Sequence, residues 1–229
     1  VAERLFRKAG FDVVYPLDQT CCGQPAHNSG DKASTTEIAK ATITAFETFD
    51  YVVAPSGSCA GMLKKHYPQL FAQDEEWALR ARSLAGRVYE LTSFLVDVRK
   101  LSKVNARFNG TATYHDSCSG LRELGVKEQP RNLLASVEGL TLTEMEDSEI
   151  CCGFGGTFSV KYGDVSNAIV EKKTHNVAAV APTLLLAGDL GCLLNMAGKL
   201  KRQGSNIQVR HVAEVLAEEL RDRAIGDGQ

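Results

Sequence analysis

Cys21-Cys22-Gly23-Gln24-Pro25 and Cys151-Cys152-Gly153-Phe154-Gly155 are two copies of one pattern. Each is a cysteine doublet closed by glycine, and each is followed at long range by a single cysteine, Cys59 or Cys192. The distance from Cys22 to Cys59 is 37 positions and from Cys152 to Cys192 it is 40. The triplets are offset by 130 residues, whereas Cys59 and Cys192, like Gly30-Asp31 and Gly163-Asp164, are offset by 133. The second copy therefore carries three extra residues just after its triplet. Gly10 and Gly139 pair at an offset of 129. Self-similarity at a fixed long period marks a duplicated unit.

The segments between the anchors agree in character. Ile38, Thr42, Ala45, Phe46 and Phe49 are spaced for one face of a helix, and Ile169, Lys173, Val177 and Val180 form a weaker stripe of the same kind. The apolar runs Tyr51-Val52-Val53-Ala54 and Leu184-Leu185-Leu186-Ala187 read as buried strands. Each enters a small-residue loop, Pro55–Ser58 or Gly188–Gly191, that delivers a cysteine before the next helix. Tyr89–Leu95 and Arg210–Leu216 each read as a strand end running into a helix. Alternating strands and helices predict an α/β fold of two tandem duplicated domains, each a mainly parallel sheet flanked by helices. The polar stretch Asn105–Gly110, before a strand Thr111–Tyr114, sets the domains at residues 1–108 and 109–229. In such sheets ligands collect outside the carboxyl ends of the strands, where these cysteines fall.

Within the second copy, Cys118 lies 33 positions before Cys151. Its counterpart in the first copy would stand about twelve residues before Val1, together with a first strand. The expectation is that the first domain lacks its N-terminal strand in this chain and that a further cysteine precedes Val1. The repeat unit then has four cysteines, and the seven in the chain divide into Cys118, Cys151, Cys152 and Cys192, and Cys21, Cys22 and Cys59.

The remaining composition narrows the function. With 26 basic and 28 acidic side chains there is no basic excess of the kind a nucleic-acid binder presents. No apolar run approaches the roughly 20 residues of a membrane span. An odd cysteine count in a chain of this length, without an export signal, argues for reduced thiols in the cytoplasm rather than a disulfide scaffold. Any one of these cysteines alone would be read as a small core residue, but the repeated pattern points to metal. Thiolates in fours hold iron–sulfur clusters or structural zinc. Zinc knuckles draw on closely spaced pairs, whereas ligands scattered over more than seventy positions suit a cluster set into a finished domain. The glycine closing each doublet lets the backbone turn sharply, with its N–H groups free to donate to sulfur.

These residues resemble the cysteine-rich CCG domain family of iron–sulfur oxidoreductases. The matching stretches are Cys21–Pro25 through Asn28-Ser29-Gly30, Pro55–Cys59, His115-Asp116-Ser117-Cys118 and Cys151–Phe158. The resemblance covers almost the whole chain. It implies an electron-transfer subunit of a multi-protein system that oxidises L-lactate to pyruvate, an oxidoreductase component without complete activity alone. It implies a bound cluster, [4Fe-4S] in type, held by the seven cysteines named above. It also implies two partners, a ferredoxin-type iron–sulfur protein and a third subunit, with any membrane association made through them. Related heterodisulfide reductases act on disulfides, and a thiol–disulfide reductase or a zinc-stabilised interaction module are the alternatives. The fullest pattern of the family ends in Cys-x-x-Cys, but here Met62 and Asn195 stand at the last position, so four ligands rather than five are expected in the second copy.

Other residues are weighed singly. His115 and His27 each adjoin a cysteine and are candidate ligands or donors to sulfur, although capping a strand end or bonding a backbone carbonyl is the commoner role. Lys161 and Arg122 flank the second site as candidate counter-charges, against an ordinary solvated role. Gly155-Gly156 suits an anion nest or a tight turn. His66, His175 and His211 read as surface or structural, and Trp77 as a helix anchor or a partner contact. No nucleophile–base motif and no Gly-x-Gly-x-x-Gly loop is present, so the chain is expected to pass electrons rather than oxidise an organic substrate by itself.

Overall fold

Two short runs, β1 (Val52–Ala54) and β2 (Val88–Glu90), pair in parallel and form the sheet of the first half. The second half builds a four-stranded sheet from β3 (Arg107–His115), β4 (Glu138–Leu142), β5 (Leu184–Ala187) and β6 (Gln208–His211). Its order is β4-β3-β5-β6 and every pairing is parallel. The computed structural model describes residues 1–227, and positions 228–229 of the expected second domain lie outside them. The architecture is the α/β duplication expected: β1 and β2 repeat β5 and β6, each strand pair being flanked by helices.

All four residues of β5 are buried, which explains an unbroken apolar run where a one-sided strand would alternate. Leu184 and Leu186 face one core while Leu185 and Ala187 face another. The first of these cores is a layer shared by both halves. It joins Leu91, Phe94 and Leu95 of the first half to Ala112, Tyr114, Leu133 and Leu134 of the second. The outer layers are separate: Ala39, Ile43, Met62 and Leu84 in one, and Val170, Val177, Leu193 and Met196 in the other.

Several local expectations are revised. The helix Lys32–Phe46 buries Thr35, Ala39, Thr42 and Ile43, so its inner face is rotated from the stripe read through Ile38, Ala45 and Phe46. The strand expected at Thr111 begins at Arg107, because β4 gives the polar residues before Thr111 a pairing partner. Phe11 and Val13, at the repeat position of β4, form no strand. The edge strand β4 is held by β3 alone, and the described part of the first half offers no strand in the place of β3. Trp77 proves to be an anchor: it packs on Phe71 with ring centroids 5.7 Å apart, and the Arg80 guanidinium lies 3.9 Å over its ring. No helix among the described residues is long and apolar enough to cross a membrane.

The loops expected to carry Cys59 and Cys192 are shorter than read. Both cysteines lie in the first turn of a helix, Gly57–Gly61 and Leu190–Arg202, with Ser56 and Asp189 as the N-caps. Ser and Asp are preferred there because their side-chain oxygens accept from the free N–H groups of the first turn. Ser56 and Asp189 occupy the same repeat position, 133 residues apart, and they meet across the seam. The Ser56 hydroxyl and the Ser58 N–H each donate to Asp189 Oδ2 at 3.0 Å. The Gly57 N–H donates to the Gly188 carbonyl at 3.2 Å. His211 caps the helix Val212–Ala217 by accepting from the Ala213 N–H at Nδ1, which leaves Nε2–H to donate to the Pro55 carbonyl at 3.0 Å. The carboxyl ends of β1 and β5 are thereby fixed face to face.

Candidate metal centre

β3 ends at His115, and Ser117 caps the helix Cys118–Leu124 by accepting from the Gly120 N–H. This puts Cys118 at a helix start beside the end of β3. Cys192 arrives from the end of β5, and Cys151 and Cys152 come from the loop that leads toward the helix Thr157–Lys161. Gly153 has φ +85°, and a Cβ there would lie 2.6 Å from the Ser166 carbonyl oxygen, so the doublet must be followed by glycine. Its N–H donates to Cys151 Sγ at 3.3 Å.

The four thiols lie near enough to shift one another's acidity. Hydrogen bonds from Cys118 and then Cys152 hold the Cys151 pKa well below the ordinary thiol value. Cys192 comes down to about 7, chiefly through Cys152, while Cys118 and Cys152 are pushed up. Metal binding requires thiolates, and an arrangement that already favours two of them lowers the cost of displacing the other protons. Cys152 and Cys192 are buried, and Cys118 and Cys151 are partly so.

The imidazole of His115 completes the group. Its ligand nitrogen and the sulfurs of Cys152 and Cys192 all lie within 4.8 Å of one another. His115 is 0% exposed, and neither ring nitrogen has a hydrogen-bond partner among the described residues. The strand-end cap or backbone-carbonyl role weighed for it is therefore corrected. The next residue, Asp116, points to the opposite face of β3, where Arg131 grips both its carboxylate oxygens at 2.8 Å.

Arg122 and Lys161 are both exposed, as the ordinary solvated role has it. The nearby buried cation is Lys173, 2% exposed on the helix Gly163–Ala179. Its ammonium donates to the carbonyls of Asp147 and Ser148, just before Cys151. Burial lowers its pKa, and the proximity of Cys152 opposes that shift. Lys40, at the same repeat position in the first half, lies instead over the Trp77 ring at 4.8 Å. A recess of about 270 Å³ opens against Cys151, walled by Ile150, Val165, Ile169 and Lys173.

In the first half, Cys22 and Cys59 stand 3.5 Å apart, and Cys21 is exposed beside them. Cys59 falls to about 7, chiefly through the hydrogen bond from Cys22, whose own pKa rises. Gly23 repeats the positive φ of Gly153, at +81°. His27 does not serve these thiols. It stacks on His66 with centroids 4.9 Å apart, and His66 Nε2 lies 3.4 Å from Glu123 Oε2, a pairing the sequence did not reveal. Gly155 and Gly156 form a positive-φ turn before the five-residue helix Thr157–Lys161.

Two second-layer contacts explain the departures from Cys-x-x-Cys. The Asn195 amide donates to the Cys152 carbonyl at 2.9 Å and so fixes the doublet backbone. Met62 is fully buried in the outer core of the first half, where the Tyr67 hydroxyl performs the backbone task by donating to the Cys22 carbonyl at 2.8 Å. The cap signal at Ser56 and Asp189 was readable as a small polar residue before a helix, whereas the Tyr67 contact had no local signal.

Duplicated α/β halves that gather thiols at the carboxyl ends of their strands define a cysteine-rich domain protein. The sequence profile of that family, CCG, matches residues 1–64 and 112–197, and the chain belongs to the family. Among individual proteins it is similar to lactate utilization protein A of a Geobacillus species, with 50% identity over 93% of this chain and 89% of the relative. The protein of that name from Geobacillus kaustophilus is 49% identical over 93% of this chain and 88% of its own length. The one from Lysinibacillus sphaericus is 50% identical over 90% of each.

Proposed function

We propose that the chain is the iron–sulfur electron-transfer subunit of a multi-protein system that oxidises L-lactate to pyruvate in the cytoplasm. The observation that carries the reading is the gathering of Cys118, Cys151, Cys152 and Cys192 at the carboxyl end of one sheet, with the donor atoms of Cys152, Cys192 and His115 within 4.8 Å of one another. The relatives' name supplies the substrate. The donor set fits an iron–sulfur cluster: four thiols meet a Cys₄ requirement, and the buried, unpaired nitrogens of His115 need a polar or metallic neighbour. Cys21, Cys22 and Cys59 are the counterpart in the first half and fit with three donors.

When bound, a [4Fe-4S] cluster takes up and releases one electron at a time. Lactate oxidation yields two electrons and two protons, so a stepwise carrier suits a partner that removes them together. The chain's own residues do the rest. Gly153 and Asn195 hold the doublet backbone, Lys173 fixes the preceding loop and offsets thiolate charge, and the buried outer core excludes water from Cys152 and Cys192. Asp189 clamps the Cys59 helix to the Cys192 helix and keeps the two thiol groups at a fixed separation.

The partners in this reading are a ferredoxin-type iron–sulfur protein and a third subunit. The test is L-lactate-dependent dye reduction by the three proteins, prepared without oxygen. Omitting this chain, or replacing it with a Cys152→Ser variant, is expected to abolish turnover. Full turnover without it would refute the proposal. Disulfide reduction by the chain alone would favour the thiol–disulfide alternative.

A further inference from the structure

We infer that His115 is a direct ligand of the metal centre in the second half, forming a mixed imidazole–thiolate donor group with Cys152 and Cys192. The inference rests on the reading of that half as an iron site, and it adds a donor that counting cysteines does not provide.

Burial with nothing to bond is the first argument. A buried polar group without a partner costs about 1–3 kcal/mol, and His115 has two ring nitrogens in that condition among the described residues. A metal removes the penalty at one nitrogen by direct bonding. Thr113, two residues earlier on β3, also has an unpaired buried hydroxyl among the described residues.

Distance is the second. Donor atoms on one metal ion stand roughly 3.6 Å apart, and donors on neighbouring irons of a cluster stand farther apart. The His115, Cys152 and Cys192 donor atoms lie within 4.8 Å of one another with no metal to draw them in. The strand end that carries the ring is held in place. Parity along β3 sends Asp116 to Arg131 on the opposite face, and the Asp116 N–H is tied to the Ser148 carbonyl at 3.1 Å.

The third is the position of Asn195. It stands where the family pattern has its last cysteine, and its amide is committed to the Cys152 carbonyl. The site thus loses a donor on the helix Leu190–Arg202 and gains one at the end of β3. Replacing a thiolate by a neutral imidazole removes negative charge, and in iron–sulfur centres this raises the potential. In the first half His27 lies against the His66 ring, and no histidine groups with the thiols among the described residues.

The test uses the full chain labelled with ¹⁵N-histidine, loaded anaerobically with iron and sulfide and reduced with dithionite. Pulsed electron-paramagnetic hyperfine spectroscopy is expected to show one nitrogen coupled with the strength of a bonded ligand. That coupling is lost in His115→Gln and kept in His27→Gln. Iron-loaded wild-type protein with only weak, through-hydrogen-bond nitrogen coupling would overturn the inference without disturbing the iron reading, and needs no variant to fold. A coupling that persists in His115→Gln would overturn it equally. Failure of the wild-type chain to take up iron would overturn the parent reading and this one together.

Discussion

Glu90 lies at the end of β2 and is 3% exposed. Its Oε2 accepts from the Thr92 N–H at 2.7 Å, the Thr92 hydroxyl at 2.6 Å and the Ser93 N–H at 3.0 Å. Burial nevertheless dominates and pushes its pKa from the ordinary 4.5 to about 7. The folded state therefore holds a proton more tightly than the unfolded chain. The resulting stability is fully present below about pH 4.5 and is lost as the pH rises through about 7. A displacement of that size corresponds to about 3 kcal/mol. Glu90→Gln keeps an oxygen to accept the three donors and cannot ionise. Urea unfolding of the reduced, metal-free chain and of the variant is compared at about pH 4.5 and about pH 8. The wild type is expected to lose about 3 kcal/mol more than the variant between the two. A difference between the proteins that does not change with pH would refute the reasoning.

Arg131→Met removes the only described side-chain cation paired with Asp116 and is expected to destabilise the fold by about 3–5 kcal/mol, with recovery in Arg131→Met/Asp116→Asn; denaturant titration of the four proteins checks this. Gly57→Ala would place a Cβ 2.9 Å from the backbone of Gly120, so overpacking at the seam is expected to cost about 1–3 kcal/mol in the same assay. Lys173→Met frees the carbonyls of Asp147 and Ser148 before Cys151, and iron affinity after reconstitution is expected to fall roughly tenfold, measured by competition with a chelator.

The duplication was legible because its anchors are residues whose chemistry allows little substitution. Glycine at 23 and 153 answers to a positive φ, and the apolar run of β5 answers to burial, whereas the run Tyr51–Ala54, expected to be buried, buries only Val52 and leaves Tyr51 exposed. The shared layer was not legible. Leu91 and Phe94 look like any helix interior, and only the opposing Ala112 and Tyr114 decide which core receives them. Nor was β4, whose residues take up a strand only where β3 offers an edge. At the site, cysteine spacing picked out the thiols, but it did not show which cation reaches them. Arg122 and Lys161 are nearest along the chain, but Lys173 reaches the doublet because a packed helix carries it there. For His115 the deciding fact was strand parity, since Arg131 commits Asp116 to one face and leaves the histidine to the other.

The central claim is that the second-half thiols hold an iron–sulfur cluster. Its most direct test is iron, sulfide and zinc analysis of the full chain purified without oxygen, beside a Cys152→Ser/Cys192→Ser variant. About four iron and about four sulfide are expected at the second site, lost in the variant. A colourless wild-type protein carrying stoichiometric zinc and no sulfide would contradict it.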